Sequence, residues 1–114
     1  MQKILIVMEH DGLRDALVKE LSQHFYVIVC SNARKGAALL QDRPDTLILD
    51  LFLPGEDGVS FLKRCQPELP ATVIALSVFL SPSLARRLSE LGVARLIMKP
   101  CTADTVVSSL MARI

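Results

Sequence analysis

Residues 46–58 read TLILDLFLPGEDG, and this stretch decides the fold. The run Thr46–Asp50 is short, apolar and rich in Leu and Ile, which is typical of a buried strand. Pro54 and Gly55 mark a turn soon after it, so the strand carries the carboxylate of Asp50 to its C-terminal end. Open α/β sheets bind their ligands at the carboxyl ends of the strands. We therefore expect Asp50 to lie where such a sheet carries its chemistry.

Four other apolar runs have the same character, and helical patterns separate them. The five predicted strands are Lys3–Met8, Tyr26–Cys30, Thr46–Asp50, Thr72–Ser77 and Arg95–Lys99. Strands that alternate with helices in this way call for a parallel sheet with right-handed crossovers. The hydrophobic content of 51% fits such a sheet when helices cover both faces, because its strands are then apolar throughout.

Polar residues mark where the helices begin. The candidate N-caps are Asp11, either Ser31 or Asn32, Asp57, Ser81 and Thr102. We expect the second helix to end near Leu40, the third to cover about Val59 to Cys65, and the fourth to stop at Gly92. The residues expected to face the core are Leu13, Ala16, Leu17 and Leu21 in the first helix, Leu84, Leu88 and Leu91 in the fourth, and Val106, Leu110 and Ile114 in the last.

Three polar side chains end three of the predicted strands. Asp50 ends the third strand, Ser77 ends the fourth, and Lys99 ends the fifth just before Pro100. The carboxyl ends of parallel strands meet at one edge of a sheet, so an acid, a hydroxyl and an ammonium group are expected there together. Each residue alone also has a purely structural explanation, as a turn residue, a cap or a solvated charge. Together they are the groups needed to hold a phosphoryl group.

Length and composition restrict the class of protein. The 114 residues predict one domain, and 13 Lys and Arg against 12 Asp and Glu give no reason to expect nucleic acid or a membrane as partner. No apolar stretch is long enough for a membrane span, and the first residues do not read as a signal peptide. The three cysteines lack metal-ligand spacing, so we interpret them as reduced packing residues of a cytoplasmic protein rather than a redox site.

The chain resembles the receiver domain of two-component response regulators. The residues that carry the resemblance are KILIV at 3–7, the stretch 47–58, VIALS at 73–77, and Lys99 with Pro100. They occur in the order of the family and span the chain as one receiver domain over residues 1–114. The resemblance implies an α/β, flavodoxin-like (βα)5 fold, a doubly wound sheet of five parallel strands in the order 2-1-3-4-5 with helices on both faces.

The resemblance also implies a function for the residues at the sheet edge. Asp50 would accept a phosphoryl group from a histidine kinase or phosphotransfer protein, while Ser77 and Lys99 would bind the phosphoryl oxygens. Weakly bound Mg²⁺ would be held by Glu9, Asp50 and the backbone carbonyl of Phe52. The bond between Lys99 and Pro100 would be cis, as is usual in the family. We expect no enzyme beyond slow self-phosphorylation from small donors and self-dephosphorylation.

The expected partners follow from the same resemblance. The face formed by the fourth helix, the fifth strand and the fifth helix would contact an output domain or partner protein, or form a weak homodimer. Direct binding of nucleic acid or a membrane by this domain is not expected. A longer response regulator, with an output domain after Ile114, is left open by the sequence.

Several positions depart from the family pattern. Met8 and Glu9 stand where receivers carry two acidic residues, and Asp11 is expected to cap the first helix rather than to supply the missing charge. Leu96 replaces the Tyr or Phe of other receivers, whose ring swings inward after phosphorylation. Phe52 and Phe79 either crowd the entrance against water or shield the loop ends.

Other classes remain as alternatives. A degenerate receiver that acts through protein contacts without phosphorylation is the main one. A flavin-binding flavodoxin is disfavoured because residues 8–13 offer no phosphate cradle. An aspartate-nucleophile phosphatase is disfavoured because its second acid would fall on Phe52.

Overall fold

A single parallel sheet forms the centre of the protein. The computed structural model describes residues 1–112, and its five strands lie in the order β2-β1-β3-β4-β5. The strands are β1 (Lys3–Val7), β2 (Tyr26–Cys30), β3 (Thr46–Asp50), β4 (Thr72–Ser77) and β5 (Arg95–Met98). All four strand pairs are parallel. The flavodoxin-like α/β fold and its predicted strand order are therefore confirmed.

Four α-helices connect the strands, and a fifth follows β5; together they cover both faces of the sheet. They are α1 (Gly12–Leu21), α2 (Ala33–Leu39), α3 (Gly58–Arg64), α4 (Pro82–Glu90) and α5 (Ala103–Met111). The side chains of Asp11, Asn32, Asp57, Ser81 and Thr102 each accept a hydrogen bond from a backbone N–H in the first turn. The predicted caps are thus confirmed, and Asn32, not Ser31, caps α2.

The strands alternate their side chains between two separate cores. Leu5, Val7 and Leu49 point into a core that includes Phe61 of α3 and Leu88 of α4. Ile4, Ile6, Met8 and Ile48 point to the opposite face and pack with residues of α1 and α5. Because helices cover both faces, the central strands β1 and β3 are buried almost completely. This arrangement explains the high apolar content of so short a chain.

Element ends differ slightly from the sequence predictions. β1 ends at Val7 rather than Met8, and β5 ends at Met98 rather than Lys99. The pairing nevertheless continues by one bond at each end, from Met8 N to Cys30 O and from Lys99 N to Ser77 O. α2 ends at Leu39 and is followed by one 3-10 turn over Leu40–Asp42.

Ala16 of α1 is exposed, so the expectation that it faces the core is wrong, whereas Leu17 and Leu21 are buried and Leu13 is partly buried. α3 begins at Gly58 and ends at Arg64, one residue earlier at each end than predicted. In α4, Leu88 is buried, whereas Leu84 and Leu91 are only partly buried. In α5, Val106 and Leu110 are buried as expected, while the predicted core position Ile114 lies outside the described residues.

Two glycines allow backbone geometry that other residues would disturb. Gly58 donates its backbone N–H to Leu51 O at 2.8 Å, and a Cβ atom at Gly58 would lie only 2.6 Å from Leu51 Cα. This close approach turns the chain sharply after Asp50 into α3. Gly92 has a φ of +95°, a conformation that ends α4 as predicted.

The cysteines are all free thiols. Cys30 and Cys65 are buried and Cys101 is partly buried. Burial raises the pKa of each of the three thiols, so they stay protonated at neutral pH. These properties agree with the packing interpretation of the cysteines.

Within residues 1–112, no helix is both long enough and apolar enough to cross a membrane.

Candidate functional site

Asp50 and Lys99 meet at the carboxyl edge of the sheet. The Lys99 ammonium donates to Asp50 Oδ2 at 2.7 Å, and the backbone N–H of Phe52 donates to Asp50 Oδ1 at 2.9 Å. Asp50 is only 5% exposed, at the end of a central strand. The Phe52 N–H lies two residues after Asp50, so this is a local hydrogen bond of the kind that Asp side chains make in turns. The carboxylate is therefore fixed through both oxygens, one of them by a cation.

The charge of Lys99 is maintained by its surroundings. Burial alone lowers the pKa of Lys99, but the hydrogen bond and charge of Asp50, with a smaller contribution from Asp11, outweigh it. The pKa of Lys99 thus lies above its ordinary value, and the side chain is an ammonium ion at neutral pH. A cation is then held permanently beside the Asp50 carboxylate.

Ser77 lies on the neighbouring strand and is held in a different way. Its hydroxyl oxygen accepts a hydrogen bond from Phe79 N at 3.0 Å, and its side chain is 5% exposed. Among the described residues, the hydroxyl makes no hydrogen bond to Asp50 or Lys99. Its backbone carbonyl, however, accepts from Lys99 N at 2.7 Å. The structure therefore brings Ser77 to the same sheet edge as Asp50 and Lys99 and leaves the Ser77 hydroxyl proton free for another acceptor.

Asp50 and Lys99 line a cavity of about 490 Å³, whereas Ser77 does not line it, although the two residues that follow Ser77 do. The cavity is lined by Glu9, His10, Asp11, Asp50, Phe52, Val78, Phe79 and Lys99. Phe52 and Phe79 are 75% and 73% exposed, and Val78 is 53% exposed. Both rings thus line the cavity while they remain largely exposed to solvent. That they crowd the entrance against water stays a prediction.

The loop between β1 and α1 supplies the other carboxylates of the cavity. Glu9 is exposed and lines the cavity, whereas Asp11 accepts from Arg14 N at 2.8 Å and caps α1. The side chain of Met8 is fully buried among apolar residues of the core that α1 and α5 cover. His10 is a loop residue and contacts Asp15 at 2.8 Å. Position 8 thus contributes packing instead of a charge.

The side chains present fit a small hard cation. Glu9, Asp50 and Phe52 all line the cavity, and the first two carry carboxylate oxygens. Mg²⁺ prefers oxygen ligands and retains several waters, so few protein ligands are needed. In residues 1–112, no three His, Cys, Asp or Glu side chains form a cluster that could hold a metal ion. Binding of Mg²⁺ by Glu9, Asp50 and the Phe52 carbonyl therefore stays a prediction.

Sequence reasoning missed Arg14, which is partly buried beside this loop. One of its guanidinium nitrogens donates both to Met8 O at 3.1 Å and to Ser31 Oγ at 2.9 Å. Nothing in the local sequence indicates these contacts, since a long flexible side chain on the first turn of a helix usually points into water.

The sequence of a known protein family matches almost the whole chain. The sequence model described as the response regulator receiver domain matches residues 4–111. The chain belongs to the response regulator receiver domain family. The Lys99–Pro100 bond of this receiver is cis, as the family resemblance implied. Receiver domains are generally Mg²⁺-dependent, and they are generally not enzymes.

Two curated relatives illustrate the similarity of sequence. The hydrogenase transcriptional regulatory protein HoxA of Cupriavidus necator is 32% identical over 109 residues, which cover 93% of this chain and 23% of HoxA. The transcriptional regulatory protein CpxR of Klebsiella pneumoniae is 34% identical over 115 residues, which cover 98% of this chain and 49% of CpxR. This receiver therefore spans at most about half the length of these two relatives.

Two solved structures illustrate the similarity of fold. The chemotaxis protein CheY4 of Vibrio cholerae superposes with a TM-score of 0.87 at 24% identity, covering 100% of this chain and 99% of CheY4. The receiver domain of a LuxO repressor protein from Vibrio parahaemolyticus gives a TM-score of 0.86 at 24% identity, covering 97% of this chain and 88% of that one. At these identities the likeness concerns the fold of the receiver.

Proposed function

We propose that this receiver accepts a phosphoryl group on Asp50 from a histidine kinase or phosphotransfer protein and relays the signal through protein contacts. The observation that carries the proposal is the arrangement of Asp50. Its carboxylate is buried at a strand end, bonded to an ammonium group at 2.7 Å, and open to a cavity that Glu9 also lines. A carboxylate that served only as a turn residue would need neither the cation nor the cavity.

Each polar residue has a separate role in the transfer. A carboxylate oxygen of Asp50 forms a bond to phosphorus while the bond between phosphorus and the donor breaks, and the leaving group departs with the electron pair. Lys99 lies beside that oxygen and stabilises the negative charge that spreads over the phosphoryl oxygens. Ser77 has an unused hydroxyl proton and can donate it to one phosphoryl oxygen.

The metal ligands we propose are Glu9, Asp50 and the carbonyl of Phe52. All three residues line the cavity. When bound there, Mg²⁺ would offset part of the repulsion between the anionic acceptor and the anionic donor. The site has one carboxylate fewer than the usual receiver because Met8 stands at one of the two acidic positions, so we expect weak binding.

The signal would leave the site through Ser77, since Leu96 replaces the aromatic residue of other receivers. The Ser77 hydroxyl currently accepts from Phe79 N, and Ser81 caps α4 shortly after it. When Ser77 turns to a phosphoryl oxygen, the segment of residues 78–81 has to adjust, and with it the first turn of α4. The exposed side chains on that helix include Arg86, Arg87 and Glu90. We propose the face of α4, β5 and α5 as the surface that contacts an output domain or partner.

The proposed function is tested by incubating the protein with acetyl phosphate and Mg²⁺ and then measuring its intact mass. We expect a gain of one phosphoryl group, and we expect a chelator of divalent cations to prevent it. A chain that never gains mass, yet still binds its partner, would be a degenerate receiver that acts without phosphorylation. That outcome would contradict the proposal.

The proposed output face predicts how this chain associates. We expect a weak dimer that phosphorylation strengthens, or none, when mass in solution is measured by light scattering at rising concentration. Arg87→Glu on α4 should weaken any such dimer, whereas Lys19→Glu on α1 reverses an exposed charge elsewhere and should leave it unchanged. A tight dimer through α1 that ignores phosphorylation would contradict this assignment.

A further inference from the structure

Arg14 contacts both ends of the loop that carries Glu9. This loop, residues 8–11, connects β1 to α1. At its far end, Arg14 N donates to Asp11 Oδ1 at 2.8 Å. At its near end, Arg14 Nη1 reaches back and donates to Met8 O at 3.1 Å. One residue of α1 therefore fixes the loop on either side of Glu9.

The same guanidinium ties this loop to the next strand. Arg14 Nη1 also donates to Ser31 Oγ at 2.9 Å, just after the end of β2. Met8 N donates to Cys30 O at 3.1 Å, so the peptide groups of Met8 are bound on both sides. Arg14 itself is partly buried, and a planar guanidinium loses little freedom for each hydrogen bond that it forms. The backbone that leads into Glu9 is consequently held in one path.

We propose that Arg14 is a positioning residue for the metal site, which holds the backbone at Met8 so that the Glu9 carboxylate faces the cavity. This inference rests on the proposed function, because it takes Glu9 as a ligand of Mg²⁺. Mg²⁺ requires nearly ideal octahedral geometry, so a ligand on a loose loop binds it poorly. Residues that orient metal ligands typically contribute about 10–100-fold in affinity. With only two carboxylates proposed as ligands, correct placement of Glu9 matters more here than in a site rich in charge.

Charge and positioning make opposite predictions for the removal of Arg14. A positive side chain beside a cation site repels the cation, so its loss would tighten Mg²⁺ binding if charge alone mattered. Loss of the two anchoring hydrogen bonds would free the loop and weaken Mg²⁺ binding. The sign of the change therefore distinguishes a positioning residue from a nearby charge.

The test is a titration of the whole chain with Mg²⁺, in which binding is measured from the amide NMR signals of residues 8–11. We expect Arg14→Ala to weaken Mg²⁺ binding by about tenfold. Arg14→Lys retains the charge and one donor nitrogen without the planar guanidinium, and it should restore part of the affinity. Ser31→Ala removes one of the two contacts at an exposed position, so it should fold normally and give a smaller loss.

The matched control is Lys35→Ala. Lys35 is exposed, and like Arg14 its charge acts on Cys30, but it is not a donor to Met8 or Ser31 among the described contacts. We expect its affinity for Mg²⁺ to equal or slightly exceed that of the parent. If Arg14→Ala and Ser31→Ala bind Mg²⁺ as tightly as the parent, or more tightly, the proposal is overturned while the metal site stands. If the parent shows no Mg²⁺ binding, the metal assignment itself is wrong and this proposal falls with it.

Discussion

Asp50→Asn is expected to abolish phosphorylation by acetyl phosphate. An amide oxygen is a far weaker nucleophile than a carboxylate, and Asn also removes one of the two carboxylates proposed for Mg²⁺. Asn has nearly the shape of Asp and keeps an oxygen that can accept from Phe52 N. Intact mass after incubation with acetyl phosphate and Mg²⁺ should therefore show no phosphoryl group on the variant and one on the parent.

The loss should be chemical and not a failure to fold. Removing one partner of a buried ion pair is costly when the remaining charge is trapped, but the Lys99 side chain is 21% exposed and can reach water. The charge of Asp11 also acts on Lys99 and remains. We expect Asp50→Asn to unfold cooperatively, with a change in stability that is small compared with the complete loss of phosphorylation.

Asp57→Asn is the matched control for this experiment. Asp57 lies on the same edge of the sheet and accepts from Ser60 N at 3.0 Å as the cap of α3. Asn is about as good an N-cap as Asp, so this variant changes an acid to an amide without disturbing the fold. It should be phosphorylated like the parent. Uptake by Asp50→Asn at the rate of the parent would show that another residue accepts the phosphoryl group.

Much of the fold follows from the sequence because its local signals agree with one another. The same βα alternation is specified by the apolar runs, by the capping residues and by Gly92. The structure has the strands, the caps and the helix end that these signals predict. The predicted ends of β1 and β5 lie one residue too late, because backbone pairing continues for one residue beyond the regular strand. Met8 and Lys99 still make one backbone bond each to the neighbouring strand after the strand proper has ended.

The site is less predictable, because it depends on where individual side chains point. The sheet edge could be predicted for Asp50, Ser77 and Lys99, since parallel strands carry their last residues to one side. The hydrogen-bond partner of the Ser77 hydroxyl could not be predicted, because Phe79 N belongs to a loop. The contacts of Arg14 have no sequence signal at all. The burial of Met8, in contrast, has a sequence signal. Ile4, Ile6 and Met8 are spaced two residues apart along β1 and its end, so their side chains point to the same face of the sheet.

The burial of Met8 predicts a large effect of Met8→Asp on the protein without metal. The Met8 side chain is fully buried, and burial of a Met side chain stabilises a fold by about 1.5–3 kcal/mol. Replacing it with a carboxylate loses this contribution and adds the cost of a buried charge near Glu9 and Asp50. We expect the free energy of unfolding to fall by more than about 2 kcal/mol at neutral pH, as measured by urea denaturation.

This loss of stability should depend on pH. Burial and the neighbouring carboxylates raise the pKa of the introduced carboxyl above its unfolded value of about 3.9. The folded state then binds the proton more tightly than the unfolded state does. The destabilisation is therefore smallest below the unfolded pKa and grows as the pH rises through the folded pKa. The parent, which has a thioether at this position, should lack this component of the pH dependence.

Mg²⁺ should offset much of this loss of stability. An additional carboxylate at the cavity edge is expected to tighten Mg²⁺ binding by about 10–100-fold, or roughly 1.4–2.7 kcal/mol, and to speed phosphorylation. Ligand that binds only the folded state at about 100 times its dissociation constant adds about 2.7 kcal/mol to stability. Saturating Mg²⁺ should thus restore much of the stability that Met8→Asp loses, while the parent gains less at the same concentration. Met8→Asn supplies the control, since it introduces a polar group of similar size without a charge and should not tighten Mg²⁺ binding.

Equal Mg²⁺ affinities in the parent and Met8→Asp would contradict this prediction and would have two physical explanations. Either the side chain at position 8 stays in the core and does not reach the metal, or Asp11 already supplies the missing charge. Asp11→Asn separates the two, because Asn preserves the cap of α1 and removes only the charge. A fall in Mg²⁺ affinity in Asp11→Asn would assign the charge to Asp11. An unchanged affinity would mean that the cavity binds its cation through Glu9, Asp50 and Phe52 alone.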